Sequence, residues 1–476
     1  MLWFFFCVAL LLAGYYVYGK VVEKIFGPQP ERPTPAIEMA DGVDYVAMSD
    51  KKLFLVQLLN IAGLGPVFGP ILGALYGPSA MLWIVLGCIF GGAVHDYFSG
   101  MLSVRSKGAS LPIIVGNELG TFAKHFMNFF AVILLLLVGV VFVLGPAKLL
   151  AQLMNIQTSW WVAAIFVYYI LATLVPIDKI IGRLYPFFGA LLIFMSIGLM
   201  IGLIVSDHNF YNQGLNMFSN MHPKQLPLWP LLFITIACGA VSGFHATQSP
   251  LMARCMINER SGRFVFYGAM IGEGIIALIW CTLGLSFYQD TTGLNATLAA
   301  GGPAAVVHEV SVALLGGFGG LLAILGVVIL PITSGDTAFR SARLIVADFF
   351  KLSQKSLAHR LWIAIPMFII GFLITRAEFG VIWRYFGWAN QTTAMIMLWA
   401  AAGYLAKEGK FHWICTLPAA FMTAVTFTYI AQATIGFNLP MSIATPLGIG
   451  ITVVALIAFW LKFKGPYAQA RLENIQ

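Results

Sequence analysis

The sequence predicts an all-α polytopic membrane protein, and three observations carry that prediction. Of 476 residues, 60% are hydrophobic and only 10% are charged, against roughly 25% charged in soluble domains. Mean hydropathy is +0.88. The apolar residues fall into runs long enough to cross a bilayer, about 20 residues each, with the basic residues between them. A soluble globule is thereby excluded. The net charge of +8 is spread along the chain rather than gathered on one segment, so the expected partner is the lipid bilayer and not nucleic acid.

About thirteen crossings are expected, near 2–19, 53–76, 79–103, 126–147, 159–175, 185–206, 230–253, 264–287, 312–338, 359–375, 379–404, 411–434 and 442–463. The first run has no basic residue before it and no small-residue cleavage site after Tyr18, so it is expected to stay as an anchor helix. Basic residues resist translocation. With the N-terminus outside, all 27 of them except Lys148, Lys224, Arg376 and Arg384 fall on the cytoplasmic side, which also places the C-terminus inside. Gly27 to Ala40, with four prolines, reads as a linker. The outer loop from Asp207 to Pro230 has a size that commonly lids a cavity. All six cysteines lie in or at the ends of apolar runs without CxxC spacing, and are read as reduced and buried.

Two crossings are interrupted. The second contains Gly63, Gly65-Pro66 and Gly69-Pro70, which disfavour an unbroken helix. Five crossings later the same happens in Gly239-Ala-Val-Ser-Gly-Phe-His-Ala-Thr-Gln-Ser-Pro250. The two run in opposite directions in this topology. Backbone freed at bilayer depth must face protein or a water-filled cavity, and interrupted helices at corresponding places in two inverted halves point to a secondary transporter's binding site. Asn60, Gly63, Gly65, Gly69, Ser242, His245 and Gln248 are the candidate substrate-binding residues. Gly316, Gly317, Gly319 and Gly320 are assigned to close helix packing instead.

Ionisable residues in the crossings are few and are functional candidates by default. His95 and Asp96 lie in one crossing, Glu273 between two glycines in another, and Asp336 near the inner end of a third. Asp336 and Arg340 are four apart, a spacing that lets them pair on one face. Glu273 is assigned a proton-carrying or site-shaping role. His95 and Asp96 are about 100° apart on a helix, so the spacing turns them different ways and leaves open which faces the cavity. Thr333 and Ser334 offer two hydroxyls for a small hard cation, a candidate sodium site. Arg384 is read as snorkelling to the headgroups.

The phrases Gly65-Pro-Val-Phe-Gly-Pro-Ile-Leu-Gly-Ala74, Val94-His-Asp-Tyr97, Gly239 to Pro250 and Pro331-Ile-Thr-Ser-Gly-Asp-Thr-Ala-Phe-Arg340 resemble the carbon starvation protein A family over roughly residues 50 to 400, in its shorter branch. The resemblance implies a bacterial inner-membrane protein with a five-plus-five inverted repeat, similar to the leucine-transporter-like core of the amino acid, polyamine and organocation superfamily. It also implies uptake of peptides or pyruvate during carbon starvation. In that core the first helix of each repeat is unwound around the substrate, and hydroxyls of the eighth core helix complete a cation site. The unwound segments correspond to Asn60 to Gly69 and Gly239 to Gln248, the hydroxyls to Thr333 and Ser334. The chain then divides into an anchor and linker (1–52), a first repeat (53–206), a second repeat with its outer loop 207–229 (207–404), and two accessory helices with a tail (405–476).

The expected function is import of a small carboxylate-bearing nutrient coupled to an ion, with peptide first and pyruvate close behind. Glu273, Asp336, His95 and Asp96 are the candidate coupling groups for a proton, and Thr333 and Ser334 the alternative for sodium. No other cofactor is expected, and oligomeric state is left open. An intramembrane enzyme is disfavoured: His308-Glu-Val-Ser-Val312 lacks the second histidine of a zinc-protease helix, and Gly239-Ala-Val-Ser-Gly243 is not GxSxG. A channel or nutrient sensor sharing the fold stands as the alternative.

Overall fold

The computed structural model describes residues 2–42, 44–174, 177–206, 208, 218–288, 290–352, 354 and 356–473, with backbone alone at 174, 177–186 and 464–473. Lys179, Arg183, Lys464 and Arg471 therefore lie outside the described side chains, and Lys355, with 207 and 209–217 of the outer loop, outside the described residues. Among the described residues the chain is helical with connecting loops, and one isolated bridge joins Met48 to Met256.

The main helices in chain order are α1 (Leu2–Phe26), α2 (Asp50–Ile61 with Gly65–Tyr76), α3 (Ser79–Arg105) and α4 (Thr121–Met154). Then come α5 (Thr158–Leu174), α6 (Ile177–Val205) and α7 (Leu231–Thr235 with Gly243–Ala253). They are followed by α8 (Glu259–Phe287), α9 (Thr291–Phe350), α10 (Leu357–Ile374), α11 (Phe379–Lys407), α12 (Trp413–Gln432) and α13 (Met441–Glu473). Among the described residues nine helices are long and apolar enough to cross a membrane, or ten with bent α2 counted as one. The other three expected crossings fall short for separate reasons. α5 is short and apolar, α7 is interrupted, and α11 carries the polar run Asn390 to Thr393 through its middle.

The 60-residue α9 would be about 90 Å long if straight, three times the roughly 30 Å hydrocarbon core. It is not straight. Gly302 (φ 71°) and Gly316 (φ 68°) take left-handed backbone, open to glycine without steric penalty, and divide it into 291–301, 303–315 and 317–350. This corrects the packing assignment for two of the four glycines there. Gly316 makes the turn, a Cβ on Gly316 or Gly317 would meet open space, and Gly319 and Gly320 make tight approaches, with Leu315 Cβ 2.9 Å and Val312 Cα 2.8 Å from where their Cβ atoms would lie. The chain folds back on itself at that point.

The expected linker is also more than a spacer. Gln29 N–H donates to Glu259 Oε2 at 2.7 Å, Thr34 Oγ1 to the Ile257 carbonyl at 3.2 Å, and Asn258 Nδ2 to the Pro30 carbonyl at 3.3 Å. The prolines remove backbone donors and stiffen this strap, so few bonds fix it against the 257–259 turn.

Candidate functional site

Both interruptions form, and they touch, but they are shorter than the expected Asn60 to Gly69 and Gly239 to Gln248: 65–69 and 243–248 are already helical, and the chain is unwound at 62–64 and 236–242. The halves of α2 meet at an angle of 50° across Ala62 to Leu64. α7 is unwound from Ile236 to Ser242, with Gly239 at φ 89°. A Cβ on Gly65 would overlap the Cys238 side chain, and one on Gly69 would come within 3.1 Å of the Thr235 carbonyl. Gly63 lies against the Phe142 ring, 2.5 Å from where a Cβ would sit. The glycines of the first break therefore let the second one approach.

Backbone released by unwinding finds protein partners, as it must away from water. Trp83 Nε1 donates to the Ile236 carbonyl at 3.1 Å. The second half of α7 starts at Ser242, in extended conformation, without a cap from its own side chain. Asn390 of α11 supplies the cap instead: its Oδ1 accepts from Phe244 N–H at 2.7 Å and from Ser242 Oγ at 3.3 Å, and its Nδ2 donates to Cys238 Sγ at 3.6 Å. Asn390 was missed as a site residue. Its signal was the polar run in an otherwise apolar crossing.

Beneath the break lies a fully buried ionic cluster. Asp96 takes His95 Nδ1 on Oδ1 and His245 Nδ1 on Oδ2, both at 2.8 Å, and His245 Nε2 lies 3.3 Å from Glu273 Oε2. All four side chains have no exposed surface. The expectation that His95 and Asp96 turn different ways is corrected here: Asp96 points to α7, and the neighbouring imidazole bends back to meet its second oxygen. Gly274, against Cys88, brings α8 close to α3 behind Glu273.

The remaining candidates sit on α9. Ser334 Oγ donates to the Leu59 carbonyl at 3.1 Å, beside the α2 break. Thr333 Oγ1 bonds the Leu330 carbonyl of its own helix at 2.8 Å. Asp336 pairs with Arg340 at 3.7 Å, as the four-residue spacing predicted, and the guanidinium also donates to the Ala172 carbonyl at 3.4 Å. Gln248 Nε2 donates to Thr247 Oγ1 at 3.0 Å and to Ser341 Oγ at 3.4 Å, and Asn60 is fully buried at the end of the first α2 half.

A cavity of about 390 Å³ opens at the end of the bundle with Tyr76, His222, Trp383, Arg384 and Tyr429. Ile234, Thr235, Trp383 and Gly387 are shared between it and a small void that reaches Gly65, Gly69 and Cys238. Residues 218–230 help line it through His222 and Leu226, and Met221 N–H donates to the Tyr76 carbonyl at 3.3 Å. Burial, with Lys224 beside it, holds His222 below the usual imidazole value. At the opposite end Arg105 donates to Glu259 (3.1 Å), to the Gly27 carbonyl (2.8 Å) and to Tyr404, and covers the Phe26 ring at 3.9 Å.

A helical membrane protein organised around two touching interruptions is the class this geometry defines. The sequence model described as carbon starvation protein CstA matches residues 1–152, 146–288 and 282–429, and the chain belongs to that family. An uncharacterized membrane protein of Haemophilus influenzae is 53% identical, covering 63% of this chain and 95% of that one. The peptide transporter CstA of Bacillus subtilis is 26% identical over 89% of this chain and 88% of its own length. The pyruvate/proton symporter BtsT of Escherichia coli is 27% identical, over 57% of this chain and 47% of its own. A manganese transporter of Eremococcus coleocola shares the fold, with a TM-score of 0.52 and 13% identity, covering 90% of this chain and 99% of that one.

Proposed function

We propose that this protein is an ion-coupled secondary transporter that imports a small carboxylate-bearing nutrient across the bacterial cytoplasmic membrane during carbon starvation. The observation that carries the reading is the contact between the two interrupted spans. Each break leaves a half-helix N-terminus, where aligned peptide dipoles concentrate about half a positive charge, a fitting seat for a carboxylate. Asn60, Gly63, Gly65, Gly69, Ser242, His245 and Gln248 are the substrate contacts of this reading. Peptide is the first substrate class, supported by the CstA relatives; pyruvate is the second, supported by the symporter relative.

The coupling ion has two candidate seats. His95, Asp96 and Glu273 with His245 link α3, α7 and α8 through one ionic chain, and Asp336 is the further candidate for a proton. Ser334, meeting the Leu59 carbonyl beside the first break, favours sodium with Thr333. The charge bias puts the N-terminus and the His222 cavity outside, the Arg105 end and the C-terminus inside.

The test is uptake into proteoliposomes carrying an inward proton or sodium gradient, with labelled dipeptide and labelled pyruvate. Accumulation of one above its external concentration, driven by one ion, is the expected result. Equilibration without accumulation, under every gradient, overturns coupling.

A further inference from the structure

The buried cluster contains an arrangement that transport of an organic solute does not call for. Cys238 Sγ, a ring nitrogen of His245 and a Glu273 carboxylate oxygen lie within 4.8 Å of one another, with all three residues buried. Within that group, His245 Nε2 and Glu273 Oε2 face each other at 3.3 Å, too poorly aligned for a hydrogen bond. Orphaned polar atoms at zero exposure are costly, and here they converge on one point. The other ring nitrogen explains the orientation. With Nδ1 held by Asp96 Oδ2 at 2.8 Å, Nε2 is turned toward Glu273. Between two carboxylates the ring is satisfied as an imidazolium or, once its Nε2 proton has left, by a cation bound at that nitrogen.

We propose that Cys238, His245 and Glu273 form a binding site for one divalent transition-metal ion of the zinc or cobalt kind, at the break of α7. A sulfur, an imidazole and a carboxylate are the donors such ions take, at about 2.0–2.3 Å each; magnesium and calcium prefer all-oxygen sets. The carboxylate–histidine–metal relay is present in Asp96–His245, and His95 holds the far oxygen of Asp96, so the ligand's tautomer is set before an ion arrives. Gly239, at φ 89°, turns the unwound backbone between Cys238 and Ser242, whose hydroxyl lies 3.3 Å from the sulfur. Binding releases the thiol proton of Cys238 and any proton on His245 Nε2 to solvent, as thiolate and neutral imidazole take the metal. The narrow void beside Cys238 adjoins the His222 cavity through Thr235 and Trp383.

This inference goes beyond the transport reading and does not depend on uptake. Its test supplies cobalt(II) chloride both to growing cells and to the purified full-length protein, then measures metal per chain and the near-ultraviolet sulfur-to-cobalt charge-transfer absorption. The expected result is one cobalt per chain with that absorption. Cys238→Ser abolishes the band, and Asp96→Asn, which keeps all three ligands, weakens binding by about tenfold to a hundredfold. The wild-type elution profile in size-exclusion chromatography shows that each variant is folded. Absence of bound cobalt by both routes, or cobalt bound without the sulfur band, as on surface histidines, overturns the site.

Discussion

Asn390 and Phe244, 146 residues apart, are joined by a 2.7 Å hydrogen bond from the Phe244 amide to the Asn390 carboxamide, so a crossing near the end of the chain caps the half-helix that starts inside another. Local capping is unavailable there because Ser242, at the cap position, turns its hydroxyl to Asn390. Replacing Asn390 with Ala strands buried donors, at a cost of about 1–3 kcal/mol. The variant is expected to unfold at lower temperature in detergent, and a melting curve unchanged from wild type would show that water or Ser242 takes over the cap.

The glycines divide into two kinds, and substitution separates them. A Cβ on Gly243 would overlap the Asn390 carbonyl, the Ala394 amide and Thr393 Cβ, mostly backbone that cannot move aside. Gly243→Ala is expected to lose about 1–3 kcal/mol or more. Gly317 has open space around it, and Gly317→Ala is expected to be neutral or stabilising by up to about 1 kcal/mol. Thermal unfolding of the two proteins side by side checks both signs.

At the end of the bundle assigned to the cytoplasm, Arg105 holds Glu259, the Gly27 carbonyl and Tyr404 at once. A planar fork does this and a lysine does not. Arg105→Lys is therefore expected to release the 27–40 strap, seen as several-fold faster trypsin cleavage after Arg32. Equal cleavage rates would mean that Gln29 and Thr34 hold the strap by themselves.

His222, buried beside Lys224, is held below the usual imidazole value. The folded state thus favours its neutral form. The stability this gives is complete above the unfolded value of about 6.5 and is lost as pH falls below it toward the folded value. Between about pH 7 and pH 5 the wild type should lose more thermal stability than His222→Gln. Parallel pH profiles would assign the loop's stability to other contacts.

How much of this was legible in the sequence follows from the range of each signal. The interruptions in α2 and α7 were readable because Gly and Pro act locally on backbone, but their bounds were not: Gly65-Pro66 opens the second α2 half instead of lying in the break, and the α7 break begins at Ile236, ahead of Gly239. The Asp336–Arg340 pair was readable from helical spacing alone. The joining of Asp96 to His245 was not, since no periodicity relates residues 149 apart, and treating His95 and Asp96 as rigid rotations about one helix hid their contact with each other. The long turn-containing α9 was mistaken for one crossing plus loop because the reversals at Gly302 and Gly316 lie in a glycine-rich stretch that also suits helix packing.

The account rests on alternating exposure of one solute site between the touching breaks, which counterflow tests most directly. Proteoliposomes are loaded with an excess of unlabelled dipeptide, or pyruvate in a parallel set, and a trace of label is added outside with no ion gradient. A carrier exchanges one for the other, so the label is expected to rise transiently above its equilibrium level inside, and Gly65→Val, which fills the contact with Cys238, is expected to abolish the overshoot. Monotonic entry of label without overshoot for both solutes would identify a channel, and no entry at all a sensor; either contradicts transport at this site.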